Sequence, residues 1–260
     1  MKKTISLLSF LFLSIFLNAQ SSRINVEYNQ IFNTDFPLIR TGVLQIDGNH
    51  SVFVDIMKSK RNLKKDNDIN ASYLDFIKEE KSTEIKEGEQ IVLQVGGNYD
   101  SYYLYNQTDG SFLFTEELGT EQILIKDFFE LKWDITKETK SISGHQCYKA
   151  VTDFRGRSWE AWFAPDLAFS FGPWKLHGLP GLILEAYDST FRYHFVALKV
   201  YKSDEVLQPE IKSLKQIDFK NFILHNFEII DNSLNIINRD VEVIKHNVKR
   251  NGRETVFEWE

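Results

Sequence analysis

The stretch Val43-Leu44-Gln45-Ile46-Asp47-Gly48-Asn49-His50-Ser51-Val52-Phe53-Val54-Asp55-Ile56-Met57 sets two apolar-rich runs on either side of Asp-Gly-Asn. A tight turn that needs positive φ selects Gly or Asn, so the stretch predicts a β-hairpin with arms at Val43 to Ile46 and Val52 to Met57. Upstream, Ile24 to Tyr28 alternates apolar and polar with period two. Downstream, strands are predicted at Gln90 to Val95, Tyr102 to Tyr105, Phe112 to Thr115 and Gln122 to Lys126, with Gly96-Gly97-Asn98 and Thr108-Asp109-Gly110 as punctuation. Thr139 to Ser143, Cys147 to Phe154, Ser158 to Phe163, Leu182 to Tyr187 and Phe191 to Tyr201 continue the series. Short runs at this spacing imply a mainly β fold: one extended, curved antiparallel sheet, half-barrel or open-barrel like.

After Lys202 the period changes. Phe219, Phe222, Ile223, Phe227, Ile230 and Leu234 recur at helical spacing behind Asp218, a capping residue, which predicts a C-terminal amphipathic helix from about 217 that packs on the sheet. Residues 58–89 are polar and charged, with a weak helical pattern near Tyr73 to Ile77, and are read as an insertion. No repeat or Pro/Gly-rich linker divides 20–260, which is therefore expected to form one β-rich domain.

The start of the chain has a different character. Lys2 and Lys3 precede Ile5 to Leu17, made only of Ile, Leu, Phe and Ser, and Asn18-Ala19-Gln20 follows. This predicts a signal peptide over 1–19, cleaved after Ala19 or Gln20. Thirteen apolar residues span roughly 20 Å as a helix, short of a bilayer core of roughly 30 Å. The expectation is export to the periplasm or cell envelope, with no mature transmembrane segment and no lipid on a junction cysteine.

Without Lys2 and Lys3 the 31 basic residues fall to 29 against 37 acidic ones. That balance argues against a nucleic-acid partner. The basic clusters Lys58 to Lys65 and Lys245 to Arg253 read as solvated loop or tail. Cys147 is the only cysteine, and its neighbours Tyr148, Ala150 and Val151 favour a buried, inert thiol over a reactive one.

The candidate site is Pro165 to Gly181, which holds three of the five prolines and three of the thirteen glycines. Proline fixes φ at 173 and 180 and drives the preceding residue out of the helical region. Pro180-Gly181 fits the centre of a type II turn, with positive φ at Gly181, that feeds the strand Leu182 to Tyr187. Gly172, Gly178, Pro180 and Gly181 are read as structural turn residues. Trp159 and Trp162, three apart on a strand, must face opposite sides. The loop's aromatic content has two readings. Trp162, Phe169, Phe171, Pro173, Trp174, His177, Leu179 and Pro180 line a cleft for an apolar ligand or a partner, or the same side chains plug the core.

Trp133 to Gly144, Cys147-Tyr-Lys-Ala150, Phe154-Arg-Gly-Arg157, Ala161-Trp-Phe-Ala-Pro165, Gly172-Pro-Trp174 and Gly178-Leu-Pro-Gly-Leu-Ile183 together resemble the GLPGLI family of exported proteins, mostly from the Bacteroidetes. The resemblance implies an exported envelope protein without an assigned activity, so no catalytic residue is carried over. His145 and the stretch Ala168 to Phe171 depart from the family pattern.

Other chemistry is sparse. His145, Cys147 and His177 could approximate a soft-metal site, but they lack CxxC or HxxxH spacing, and no metal or cofactor is expected. Glu160 and Glu185 could form a carboxylate pair for glycosidic hydrolysis if both faced one cleft. Arg155 and Arg157 flank Gly156 in a hairpin turn, where an anion could be held, although turn arginines are commonly exposed. Asp188-Ser189-Thr190 resembles the acceptor motif of O-glycosylation in Bacteroidetes. The functional expectation is an exported binding or carrier protein for an apolar or amphiphilic ligand, similar by fold analogy alone to the half-barrel of lipoprotein carriers. The alternatives are an interaction partner of an outer-membrane protein, and a carboxylate-dependent hydrolase.

Overall fold

The computed structural model describes residues 23–34, 37–56, 99–118, 121–225 and 252–260. The expected signal peptide, the insertion 58–89, the strand Gln90 to Val95 and the helix beyond residue 225 lie outside them.

Among the described residues twelve strands form one sheet: β1 (Arg23–Phe32), β2 (Leu38–Asp47), β3 (His50–Asp55), β4 (Ser101–Asn106), β5 (Ser111–Leu118), β6 (Glu121–Asp127), β7 (Asp134–Ile142), β8 (His145–Phe154), β9 (Arg157–Ala164), β10 (Leu182–Asp188), β11 (Tyr193–Ser203) and β12 (Gln216–Asp218). Their order is β12-β6-β5-β4-β3-β2-β1-β11-β10-β9-β8-β7. The β2–β3 hairpin forms as read, with Gly48 at φ 58° and Asp47 opposite His50. All pairings are antiparallel except β12 on β6, which is parallel. Two meanders, β2 to β6 and β7 to β11, are joined through β1, which pairs with β11 from Arg23 to Phe32 and with β2 from Ile24 to Phe32.

Chain connectivity requires this sheet to curl. From β6 to β7 the sheet runs ten inter-strand steps, about 48 Å if flat. The chain covers the same gap in the seven Cα steps from Asp127 to Asp134, at most about 25 Å. The two flanks of the sheet must therefore bend toward each other. Ring contacts across the hollow agree: Phe53 on β3 stands 6.5 Å from Phe195 on β11, two strands intervening, and Tyr28 on β1 stands 6.1 Å from Phe53.

Segment 165–181 fills that hollow. Trp174 packs on Trp159 of β9 at 5.3 Å, and Phe171 meets Tyr105 of β4 at 6.1 Å, so one loop bridges both flanks. Phe171, Trp174, Leu176 and Leu179 are buried. Trp174 takes φ 55°, a conformation that a bulky residue holds only when its surroundings enforce it.

Helix α1 begins at Phe219, with its described part at 219–225. Asp218 Oδ1 accepts from the Asn221 N–H at 2.9 Å, the cap expected from the sequence. Phe219 and Phe222 turn inward, Phe219 meeting Phe114 of β5 at 5.6 Å. Among the described residues no helix is long and apolar enough to cross a membrane.

Candidate functional site

The plug corrects the cleft reading at several positions. Phe171, Pro173, Trp174 and Leu179 are core residues, Phe169 is half-buried against the core, and Pro180 is exposed. Trp162 does face away from Trp159, as the odd spacing requires, and so lies on the other side of the sheet from Trp174. There the Lys140 ammonium stands 4.3 Å from its ring centre. Eight side chains that sequence spacing grouped into one site are thus divided between a core and two surfaces.

The turn chemistry differs as well. Gly181 is not among the residues of positive φ; Gly178 is, at 91°. Gly181 is required for a different reason, since a Cβ there would stand 2.4 Å from the Ala164 carbonyl oxygen. Backbone bonds from Leu182 N–H to Leu167 O (2.9 Å) and from Ile183 N–H to Phe171 O (3.0 Å) lash the turn to the plug it terminates.

Of the expected set, His177 lines an opening. A cleft of about 210 Å³ lies at the rim of the plug, walled by Tyr105, Phe112, Phe129, Glu130, Leu131 and His177. The His177 ring sits 3.9 Å from the Tyr105 ring, centre to centre, and 5.5 Å from that of Phe129. Its Nδ1 lies 2.8 Å from the Lys175 carbonyl. A carbonyl only accepts, so Nδ1 carries the proton and the neutral ring leaves Nε2 as an acceptor. Burial pushes the His177 pKa down to about 4, against a smaller upward pull from that carbonyl. Trp133 Nε1 donates to the His177 carbonyl at 2.8 Å and fixes the backbone. The cleft therefore presents aromatic faces beside acceptors, His177 Nε2 and the Glu130 carboxylate.

Beneath it lies a charged centre that sequence reading missed. Asp127, at the end of β6, accepts from Arg155 Nη1 and Nη2 at 2.8 Å each and from Lys175 Nζ at 2.7 Å. Glu254 accepts from the same two cations, at 2.6 Å from Arg155 Nη1 and at 2.9 and 3.0 Å from Lys175 Nζ. Burial alone would raise the Asp127 carboxyl, but Lys175 and Arg155 outweigh it and hold the carboxyl below the usual range. Lys175 Nζ also stands 4.2 Å from the Phe219 ring centre and 4.3 Å from that of Phe114. Arg155 is thus no exposed turn arginine: its side chain is only 2% accessible. Arg253, read as part of a solvated tail, is half-buried, and its Nη2 donates to Tyr103 Oη at 2.9 Å. The residues Arg155, Lys175 and Glu254 are far apart in the chain, and only the curling of the sheet brings them together.

The remaining sequence candidates do not assemble a reaction centre. Glu160 and Glu185 share the outer face, since Glu185 lies opposite Trp162 and Tyr187 opposite Glu160. Both are engaged there: Glu160 with Lys149 at 2.9 Å, and Glu185 with Lys140 and, at 2.9 Å, with His194 Nε2. Burial raises the Glu185 carboxyl, but His194 and Lys140 more than reverse this, so it is no proton donor near neutrality. His145 pairs with Asp166 at 2.6 Å, Cys147 is fully buried, and among the described residues no three potential metal ligands converge. Asp188 is buried on Arg157 (2.9 Å) and binds the Thr190 hydroxyl.

The geometry defines a class of protein: a curled antiparallel sheet whose hollow is plugged, with a small aromatic cleft at the rim of the plug. Residues 102–222, just under half of the chain, match the family described as N-glycanase peptide, N-terminal domain. Structures of PNGF-II share the fold. The one in space group C2 aligns with a TM-score of 0.50 at 16% identity, covering 77% of this chain and 32% of that one. The one in space group P21 gives 0.49 at 15% identity, with the same coverage. The chain thus spans about a third of the length of the PNGF-II chains it matches. No curated protein matches it. These matches overturn the GLPGLI assignment. The hexapeptide 178–183 lies inside the segment matched to the N-glycanase family, and its glycines answer local demands, φ at 178 and the Ala164 carbonyl at 181. Such a signature reports a turn, not descent.

Proposed function

We propose that the chain is an exported recognition domain whose rim cleft holds one ring of a small amphiphilic ligand, and that this ligand is a sugar of an N-linked glycan. The observation that carries the reading is the cleft itself: Tyr105, Phe112, Phe129 and His177 form its aromatic wall beside the Glu130 carboxylate. Sugar rings present one apolar C–H face and a rim of hydroxyl and amide donors, which suits aromatic walls with acceptors beside them. A volume of about 210 Å³ is below the range of roughly 300 Å³ and above that drug-sized ligands occupy. That disfavours an acyl chain and narrows the expected apolar ligand to an amphiphilic one. The choice of glycan draws on the likeness to the N-glycanase N-terminal domain. Among the described residues the plug fills the hollow of the sheet, which disfavours a lipid carrier, and the ion-paired Glu185 disfavours the hydrolase alternative.

Titration with N,N′-diacetylchitobiose followed by saturation-transfer NMR tests the reading. Saturation of the sugar's acetamido and ring protons is expected, with loss of about 1–3 kcal/mol of binding, a factor between about 5 and about 160, in Tyr105→Ala. Equal signals from the wild type and Tyr105→Ala, or none from either, would refute it.

A further inference from the structure

Segment 252–260 joins the fold without joining its sheet. Among the described residues its backbone pairs with no strand, and Thr255 and Val256 donate to a single acceptor, the Arg155 carbonyl, at 2.8 and 3.2 Å. Arg157 Nε and Nη2 donate to the Gly252 carbonyl at 2.9 and 2.7 Å. Side chains do most of the holding. Glu254 bridges Arg155 and Lys175, Glu258 accepts from Arg155 Nε at 2.8 Å, and Phe257 and Trp259 pack on Phe219 at 5.5 and 5.9 Å.

The receiving surface also has contacts of its own, apart from those with the segment. Asp127, outside the segment, accepts from both terminal guanidinium nitrogens of Arg155 and from the Lys175 ammonium, and Phe114, Phe129 and Phe219 wall the two cations. Two buried cations on one carboxylate leave a positive charge that a second carboxylate must neutralise. Cations that bind an acidic side chain beside a groove that takes aromatic ones are a recurrent mode of peptide recognition.

We infer that the Arg155–Lys175 socket is a recognition site for acidic-aromatic peptides of the pattern Glu-x-x-Phe-x-Trp. Segment 254–259 fills it as the chain's own exchangeable ligand, and a peptide of the same pattern from another chain takes its place. The inference is independent of the rim cleft and of any sugar.

The experiment uses the full chain and a fluorescein-labelled peptide of sequence Arg253 to Glu260, read by anisotropy. Gly156→Ala pushes on the segment, because a Cβ at 156 would stand 2.2 Å from Thr255 Oγ1 and 3.0 Å from the Val256 nitrogen; it keeps both cations in the sequence but also strains their turn, since Gly156 takes φ 82°. A segment closed nine-tenths of the time weakens a competing peptide about tenfold. The labelled peptide is therefore expected to bind Gly156→Ala about tenfold more tightly than wild type. Binding should be lost in Gly156→Ala/Lys175→Met and weakened when the peptide carries Gln at the Glu254 position. Equal affinity for wild type and Gly156→Ala, or indifference to Lys175, overturns the inference. Should Gly156→Ala not fold, hydrogen exchange on the wild type decides. The Thr255 and Val256 amides are expected to exchange well before those of β8 and β9, and faster still with excess unlabelled peptide. Exchange together with β8 and β9 overturns it.

Discussion

His177 connects the plug to the cleft, and its protonation couples both to pH. With Nδ1 on the Lys175 carbonyl and the ring against Tyr105, the neutral form is the one the fold accepts. An exposed histidine titrates at about 6.5, whereas burial pushes His177 to about 4. Between those values the unfolded chain binds the proton and the folded chain does not, so stability rises with pH across the window. The contribution is complete above about 6.5 and disappears as pH falls through about 4, amounting to about 3 kcal/mol. Urea midpoints from pH 7 to pH 4 should fall more steeply for wild type than for His177→Asn, and parallel slopes would contradict this. The sequence reading put His177 among the ligand- or partner-binding residues and set aside a metal role for it. Nothing in it signalled the ring contact with Tyr105, because that contact depends on where β4 arrives.

At the scale of elements, legibility followed the range of the cause. The β2–β3 hairpin, the alternation of β1 and the Asp218 cap are set within a few residues, and all are present as read. Strand β12 was not read: three residues, Gln216 to Asp218, are ordered only by parallel pairing with β6. At 180–181 the sequence reading placed positive φ on Gly181, which Gly181 does not take; the close approach by Ala164 that requires glycine there cannot be inferred from neighbouring residues. The two glycines therefore separate in a direct comparison. Gly178 has open space where a Cβ would lie and φ of 91°, so Gly178→Ala meets backbone strain alone, about 1–3 kcal/mol. Gly181→Ala must push the β9 terminus away from the plug, and the cost expected is larger, about 3 kcal/mol or more. Thermal or urea unfolding of the pair measures the difference. Equal losses would show that steric approach is not what selects glycine at 181.

For the molecule as a whole, the question is whether two meanders make one cooperative unit. Among the described residues, the only strand pairing between them runs through β1, which pairs with β2 on one side and β11 on the other. A seam of that kind could separate, but three further ties cross the hollow. Phe53 meets Phe195, Asp127 binds Arg155, and the plug touches Tyr105 on one flank and Trp159 on the other. Breaking the seam would expose the apolar plug and strand buried charges, each costly enough that partial opening is disfavoured relative to complete unfolding. In a Trp259→Phe background the tryptophans allow a direct test, because Trp133, Trp159, Trp162 and Trp174 all follow β6 and report on the second half of the sheet. Hydrogen-exchange mass spectrometry of peptides from β2 to β5 reports on the first half. In urea, tryptophan emission and exchange of those peptides are expected to give the same midpoint. A lower midpoint for β2 to β5 would mean that the plug belongs to the second meander alone, and that the curl of the sheet does not couple its flanks.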